Sequence, residues 1–140
     1  MNEMSAGQTV GELMTPEPIV IHEDEPLARA AMLLDEHRIS GLPVVDAAGI
    51  LVGVVTQSDL LRARATEHLW KSWPGLSVRH LMSRPVLTVR RSSSVEEAVR
   101  LMEQQRVHRL VVVDDAGRVP VGIFSTTDVI HQIAGAPERE

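Results

Sequence analysis

The sequence predicts a mixed α/β (α+β) fold made of two βαββα units, packed sheet to sheet with pseudo-twofold symmetry. Three observations carry that expectation. Short motifs recur along the chain in a fixed order, each recurrence contains two β-branched apolar runs joined by a glycine turn, and each contains one stretch with helical apolar spacing.

The recurrence comes first because it sets the frame. Leu13-Met14-Thr15 returns as Leu81-Met82-Ser83, an offset of 68, and Pro18-Ile19-Val20 as Pro85-Val86-Leu87, one residue shorter. Ala30, Leu33 and Leu34 return as Ala98, Leu101 and Met102. Leu42 to Asp46 answers Leu110 to Asp114, and Gly49 answers Gly117. Val52 to Thr56 answers Val121 to Ser125 at an offset of 69, after Pro120 is inserted, and Asp59-Leu60-Leu61 answers Asp128-Val129-Ile130. So many matches in one order mark a tandem duplication, with copy one at residues 9–67, a linker at 68–76 and copy two at 77–134.

Each element follows from local chemistry. Thr9 to Glu12 reads as a capping box that opens a short helix, which Pro16 and Pro18 end. Ile19 to Ile21 reads as a short buried strand. Asp24 or Glu25 is expected to cap a helix with Pro26 at its first position and Leu27, Ala30, Ala31, Leu34 and His37 at helical spacing along its buried face. In copy two Ser94 to Glu97 is the matching capping box, and Val95, Ala98, Val99 and Met102 form the stripe. Leu42–Asp46 and Ile50–Thr56 read as a hairpin through Ala47-Ala48-Gly49, mirrored by Leu110–Asp114 and Val119–Ser125 through Asp115-Ala116-Gly117. Final helices start near Gln57 and Thr126, the first continuing as a charged helix until Pro74-Gly75. Trp70 and Trp73 share a helical face there, either covering the seam between copies or meeting another subunit. Residues 1–8 and 135–140 read as frayed tails.

Composition narrows the function. The chain has 140 residues, 44% of them hydrophobic and 24% charged, which is the balance of a single globular domain. With one Phe, no Tyr and two Trp, aliphatic residues must fill the core, and some sixty residues of this kind make a marginal core alone. The absence of cysteine excludes disulfides and thiolate metal sites, and six scattered histidines in no ligand spacing predict no metal. A net charge of −5 with Lys71 as the single lysine argues against binding a nucleic-acid backbone. No leader pattern and no apolar run of membrane length are visible, so a cytoplasmic location and no membrane partner are expected. No activated nucleophile or acid–base pair stands out, which predicts a regulatory module and not an enzyme.

One motif carries chemistry. Gly53-Val54-Val55-Thr56-Gln57-Ser58-Asp59 is answered by Gly122-Ile123-Phe124-Ser125-Thr126-Thr127-Asp128. Glycine in a strand admits another group against the backbone. A hydroxyl then ends the strand and opens a helix, whose amides suit phosphate, while a carboxylate three residues on suits a pair of ribose hydroxyls. The same spacing is also that of a capping box with Asp in place of Glu, needing no ligand.

These motifs, with Leu-Met-Thr/Ser at each head and Pro-Val-Val-Asp or Val-Val-Val-Asp in the middle, resemble a tandem CBS (cystathionine β-synthase) domain pair, or Bateman module, over about residues 9–134. The resemblance implies an energy or metabolite sensor that binds an adenosine-containing ligand (AMP, ADP, ATP or S-adenosylmethionine) in clefts between the copies, with no further cofactor. Carried over by position, one cleft would combine Thr56, Ser58 and Asp59 with Val86, Leu87, Val107 and His108. The other would combine Ser125, Thr127 and Asp128 with Ile19, Val20, Ile39, Ser40 and Pro43. Val107 to Asp114 is also similar to a segment of the regulatory γ subunit of AMP-activated protein kinase. That likeness implies phosphate contacts from His108 and Arg109, which could equally be a solvated strand start. Copy one has Ser40-Gly41 there, so the clefts should differ. The family implies a homodimer through helix faces, with Met32, Leu60, Leu61, Met102, Val129 and Ile130 as candidates, and possible control of another protein. A structural or dimerisation role with empty clefts is the alternative.

Overall fold

Short β-branched runs and one amphipathic stretch per copy fold as their spacing dictates. The computed structural model describes residues 7–66 and 75–135. Its elements are α1 (Val10–Leu13), β1 (Thr15–Pro16), β2 (Ile21–His22), α2 (Leu27–His37), β3 (Gly41–Val45), β4 (Leu51–Thr56) and α3 (Gln57–Ala65), then a 3-10 turn (Val78–His80). The chain continues through β5 (Thr88–Arg90), α4 (Val95–Gln105), β6 (Arg109–Val113), β7 (Pro120–Ser125) and α5 (Thr126–Ile133). The residues gather into two units. The middle unit holds Ile19–Val86, and the terminal unit holds the described residues up to Pro18 together with those from Leu87 onward.

In the middle unit β2 pairs parallel with β3 and β3 pairs antiparallel with β4. In the terminal unit the order is β1-β7-β6-β5, with β5 parallel to β6 and the other pairs antiparallel. The two hairpins share details that periodicity alone does not show. Both ladders shift register at the same place, between Val44 and Val45 and between Val112 and Val113. Both turns close on an aspartate: Asp46 accepts from the amides of Ala48 and Ile50, and Asp114 from those of Arg118 and Val119. Gly49 and Gly117 follow at φ +83° and +76°, the left-handed region that glycine enters without steric cost.

Helices α2 and α4 each bury one face, Leu27, Ala30, Leu33 and Leu34 in the first and Val95, Ala98 and Met102 in the second. Each ends on an arginine in the left-handed conformation, Arg38 at φ 54° and Arg106 at φ 56°. Their starts differ. Ser94 accepts from the amide of Glu97, and Glu97 accepts from that of Ser94, as the capping box predicts. Helix α2 has no side-chain cap; Pro26 itself is the N-cap residue, so Asp24 and Glu25 do not serve. Proline's φ of −69° suits a helix, but its ψ of 153° leaves it outside. The strand expected at Ile19–Ile21 forms at Ile21–His22, and the helix after β4 ends at Ala65 with Thr66 as its C-cap. Trp70, Trp73 and both ends of the chain lie outside the described residues.

The head of each copy belongs to the unit built on the other copy's hairpin. Residues of the first head join the terminal sheet, where Thr15 pairs with Ile123 and Pro16 with Gly122. Those of the second head sit on the middle sheet, where the amide and carbonyl of Ser83 exchange hydrogen bonds with Val54. Val10 and Val78, equivalent in the two heads, are fully buried, one in each core. Each such burial contributes about 1.5–3 kcal/mol. A copy with roughly sixty residues therefore completes its core with its twin's head. Among the described residues no helix is long and apolar enough to cross a membrane.

Candidate functional site

Strands β4 and β7 pass into helices α3 and α5 without a loop, which puts a hydroxyl residue at each junction. Thr56 keeps extended backbone (φ −122°, ψ 167°), and its Oγ1 accepts from the amide of Asp59 at 3.2 Å. Asp59 Oδ2 accepts in return from the Thr56 amide at 2.8 Å and from Thr56 Oγ1 at 3.0 Å. Its other oxygen, Oδ1, accepts from Ser83 Oγ at 3.0 Å and from Arg62 Nη2 at 3.1 Å. Four donors thus meet a carboxylate with about four lone-pair sites. The residue is 4% exposed, and this full set of donors is what makes burial of a charge tolerable.

The terminal unit repeats the arrangement with other partners. Asp128, 3% exposed, accepts at Oδ2 from the Ser125 amide (2.8 Å) and Ser125 Oγ (3.1 Å), and at Oδ1 from Thr15 Oγ1 (3.4 Å). Thr15 is the repeat equivalent of Ser83, and His131 stands in the position of Arg62. Both Asp-hydroxyl pairs are therefore complete capping boxes, so the ligand-free reading of the spacing is realised in full.

The strand glycines have a specific occupant as well. A Cβ at Gly53 would lie 2.7 Å from Met82 Sδ and 3.2 Å from the Ser83 carbonyl oxygen. At Gly122 it would lie 2.5 Å from Met14 Sδ and 2.9 Å from the Thr15 carbonyl oxygen. The group that approaches each glycine is the head's Leu-Met-Thr/Ser motif.

The other predicted site residues fall as follows. Ile39 packs on the middle core, and the Ser40 carbonyl takes the amide of Gln57 at 2.9 Å. Pro43 is buried in β3 opposite Val54. Ile19 packs on the same core, Val20 is exposed and Val86 is half-buried. Leu87 and Val107 pack on the terminal core, while His108 and Arg109 are exposed. The His108 carbonyl takes the amide of Thr126 at 2.9 Å, and Arg109 lies opposite Ser125 in the ladder. The first-turn amides of Gln57 and Thr126 are thus occupied, and Ser58 and Thr127, next in each helix, are exposed. Each expected set draws on both units. Thr56, Ser58, Asp59 and Val86 are in the middle unit, but Leu87, Val107, His108 and Arg109 are in the terminal one. Ser125, Thr127 and Asp128 are terminal, but Ile19, Val20, Ile39, Ser40 and Pro43 are in the middle unit.

Sequence reasoning missed Thr15, Ser83 and Arg62, although the hydroxyl that recurs after each Leu-Met was a usable signal. It also missed a largely apolar pocket of about 400 Å³ on the terminal unit, walled by Val99, Met102, Val107, Val129 and Ile130 and rimmed by Glu103, Arg106, His108 and Thr126. Among the described residues no group of three or more His, Asp or Glu could hold a metal ion.

A sequence model of the CBS domain matches residues 10–66 and again 78–135. Among solved structures, CBSX2 in complex with AMP is 36% identical, with a TM-score of 0.81 over 92% of this chain and 98% of that one. A CBS domain pair in complex with 5′-methylthioadenosine and S-adenosyl-L-methionine is 29% identical, with a TM-score of 0.77 over 91% of this chain and 97% of the other. The CBS domain of a bacterial CNNM/CorC family Mg2+ transporter in complex with ATP is 28% identical, with a TM-score of 0.75 over 93% and 89%. Similar curated proteins include the inosine-5′-monophosphate dehydrogenase of Methanocaldococcus jannaschii, 31% identical over 94% of this chain, and the homoserine O-acetyltransferase of Methanocorpusculum labreanum, 36% identical over 89%. The chain spans only 25% and 24% of their lengths.

Proposed function

The chain belongs to the CBS domain family as a tandem pair, and on that premise we propose that it is a non-catalytic regulatory module that binds an adenosine-containing ligand. The observation that carries this reading is the pair of carboxylates, Asp59 and Asp128, each nearly buried at a helix start beside a hydroxyl. Structures alike over nine-tenths of the chain hold AMP, ATP or S-adenosylmethionine. In this reading the carboxylates take the ribose hydroxyls, while Ser58 and Thr127 with their amides, together with His108 and Arg109, meet the phosphates. Ile19, Val20, Ile39, Pro43, Val86, Leu87 and Val107 supply aliphatic walls for the base, and Ser40 stands where copy two has His108.

The signal passes to a partner surface. Of the six candidates, Met102 and Val129 are buried in the terminal core and Leu60 packs on the middle one, which leaves Met32 (47% exposed), Leu61 (70%) and Ile130 (63%) on helix faces for a homodimer to cover. A protein controlled through that assembly, in the cytoplasm, completes the reading. A second reading, a structural or dimerisation module with no ligand, is favoured by one observation: both capping boxes are satisfied without one.

A melting scan against AMP, ADP, ATP and S-adenosylmethionine separates the two. Ligand at a hundred times its dissociation constant adds about 2.7 kcal/mol, which raises Tm by several degrees for a domain of this size. A flat response to all four compounds would leave the structural reading.

A further inference from the structure

We propose that Ser83 sets the affinity of the Asp59 site, because its hydroxyl holds the carboxylate oxygen that a ligand's hydroxyl pair must take. The inference rests on the ligand reading above and adds the competitor. Of the four donors on Asp59, the two from Thr56 fix the start of α3 and cannot leave without undoing the cap. The guanidinium of Arg62 is 62% exposed, so its bond is screened and readily released. That leaves Ser83 Oγ, 3.0 Å from Oδ1, as the donor a diol has to displace. Ser83 is itself exposed, so its hydroxyl can turn to water when it gives up the carboxylate. The head does not come away when this bond is lost. Its backbone bonds to Val54 (2.8 and 3.1 Å) and the seat of Met82 against Gly53 remain. Binding therefore trades the Arg62 and Ser83 bonds for those of the diol and loosens the head by one contact.

The twin site offers a weaker competitor. Thr15 Oγ1 lies 3.4 Å from Asp128 Oδ1, at the long edge of a hydrogen bond, and its head is held independently by the β1–β7 ladder.

The test is calorimetric titration of wild type, Ser83→Ala, Ser83→Thr and Thr15→Ala with AMP and with ATP, beside hydrogen exchange at the Val54 amide, which donates to the Ser83 carbonyl. Ser83→Ala is expected to bind about fivefold tighter, with Ser83→Thr and Thr15→Ala within twofold of wild type. Saturating AMP should speed exchange at Val54 in wild type severalfold. Affinity that is equal or weaker in Ser83→Ala overturns the proposal, as does slower exchange at Val54 on binding. If no variant binds either nucleotide, the ligand reading fails and competition with it. Exchange then judges the hydroxyl's hold on the head alone, for which faster exchange in free Ser83→Ala is expected and equal exchange overturns it.

Discussion

In the middle unit the buried Asp59 faces Ser83 and the guanidinium of Arg62; in the terminal unit Asp128 faces Thr15, and His131 stands where Arg62 does. The second head is capped by His80, whose Nδ1 accepts from the Ser77 amide at 3.0 Å, and the first by Glu12, which accepts from the Thr9 amide at 2.8 Å. One helix start has a serine cap and the other only Pro26. Yet the apolar frame barely varies. Val10 answers Val78, Met14 answers Met82, Gly53 answers Gly122, and Arg38 answers Arg106 in the same left-handed conformation. Close packing restricts what a core position can hold, whereas a polar partner near solvent can be exchanged at small cost. Such partners are where two copies of one plan can acquire unequal affinities.

The frame is where that comparison breaks most visibly. Gly122→Ala puts a methyl against the Thr15 carbonyl oxygen and should cost about 2–3 kcal/mol. Gly53→Ala, whose nearest conflict is the flexible end of Met82, should cost about 1–2 kcal/mol. Urea unfolding of both variants checks the order, and equal costs would show that the two heads are seated alike.

Replacing Asp59 by Asn turns one acceptor oxygen into an amide that faces donors, so stability should fall by about 1–3 kcal/mol. Nucleotide affinity should fall tenfold to a hundredfold as well. Asp128→Asn should lose less affinity, because its expected cleft has Ser40 and Gly41 where the other has His108 and Arg109. Melting curves and titrations of the same two proteins read the difference. A loss of stability with affinity untouched would make Asp59 a helix cap and nothing more.

The helix starts sharpen the contrast on a smaller scale. Ser94→Ala should cost about 1 kcal/mol, whereas Pro26→Ala, which removes no side-chain cap, should stay within about 0.5 kcal/mol in thermal unfolding.

The smallest effect belongs to the second hairpin. The amide of Arg118, then that of Val119, hold the Asp114 carboxyl below its ordinary value. A pKa lowered on folding stabilises the fold fully above the unfolded value of about 3.9, and the contribution is lost as pH falls through the lower folded value. An NMR titration should therefore find Asp114 still ionised where a free aspartate is half protonated.

Much of this was legible in the sequence. The offsets located both hairpins, both amphipathic helices and both hydroxyl–Asp pairs to within a residue or two, because periodicity and turn chemistry are local. The partner of each head was not legible. Thr15 meets Asp128 across 113 residues and Ser83 meets Asp59 across 24, and a recurrence shows that two segments are alike without showing which sheet each one joins. The same gap misdirected the glycines. A strand glycine announces that something comes close, and the methionine that does so was visible only as part of another motif. The proline at position 26 was placed one step too far into its helix, since a fixed φ does not fix ψ.

The exchange of heads has a consequence for how such a chain could arise. A chain with only one copy would carry a head with no sheet to cover and a sheet with a vacant glycine groove. Two such chains would satisfy each other by swapping, so the half-length form is a dimer by construction. Joining them end to end replaces a concentration-dependent encounter with an effective concentration in the millimolar range. Once joined, the halves no longer have to stay identical, and a change such as arginine to histidine beside one carboxylate no longer alters the other.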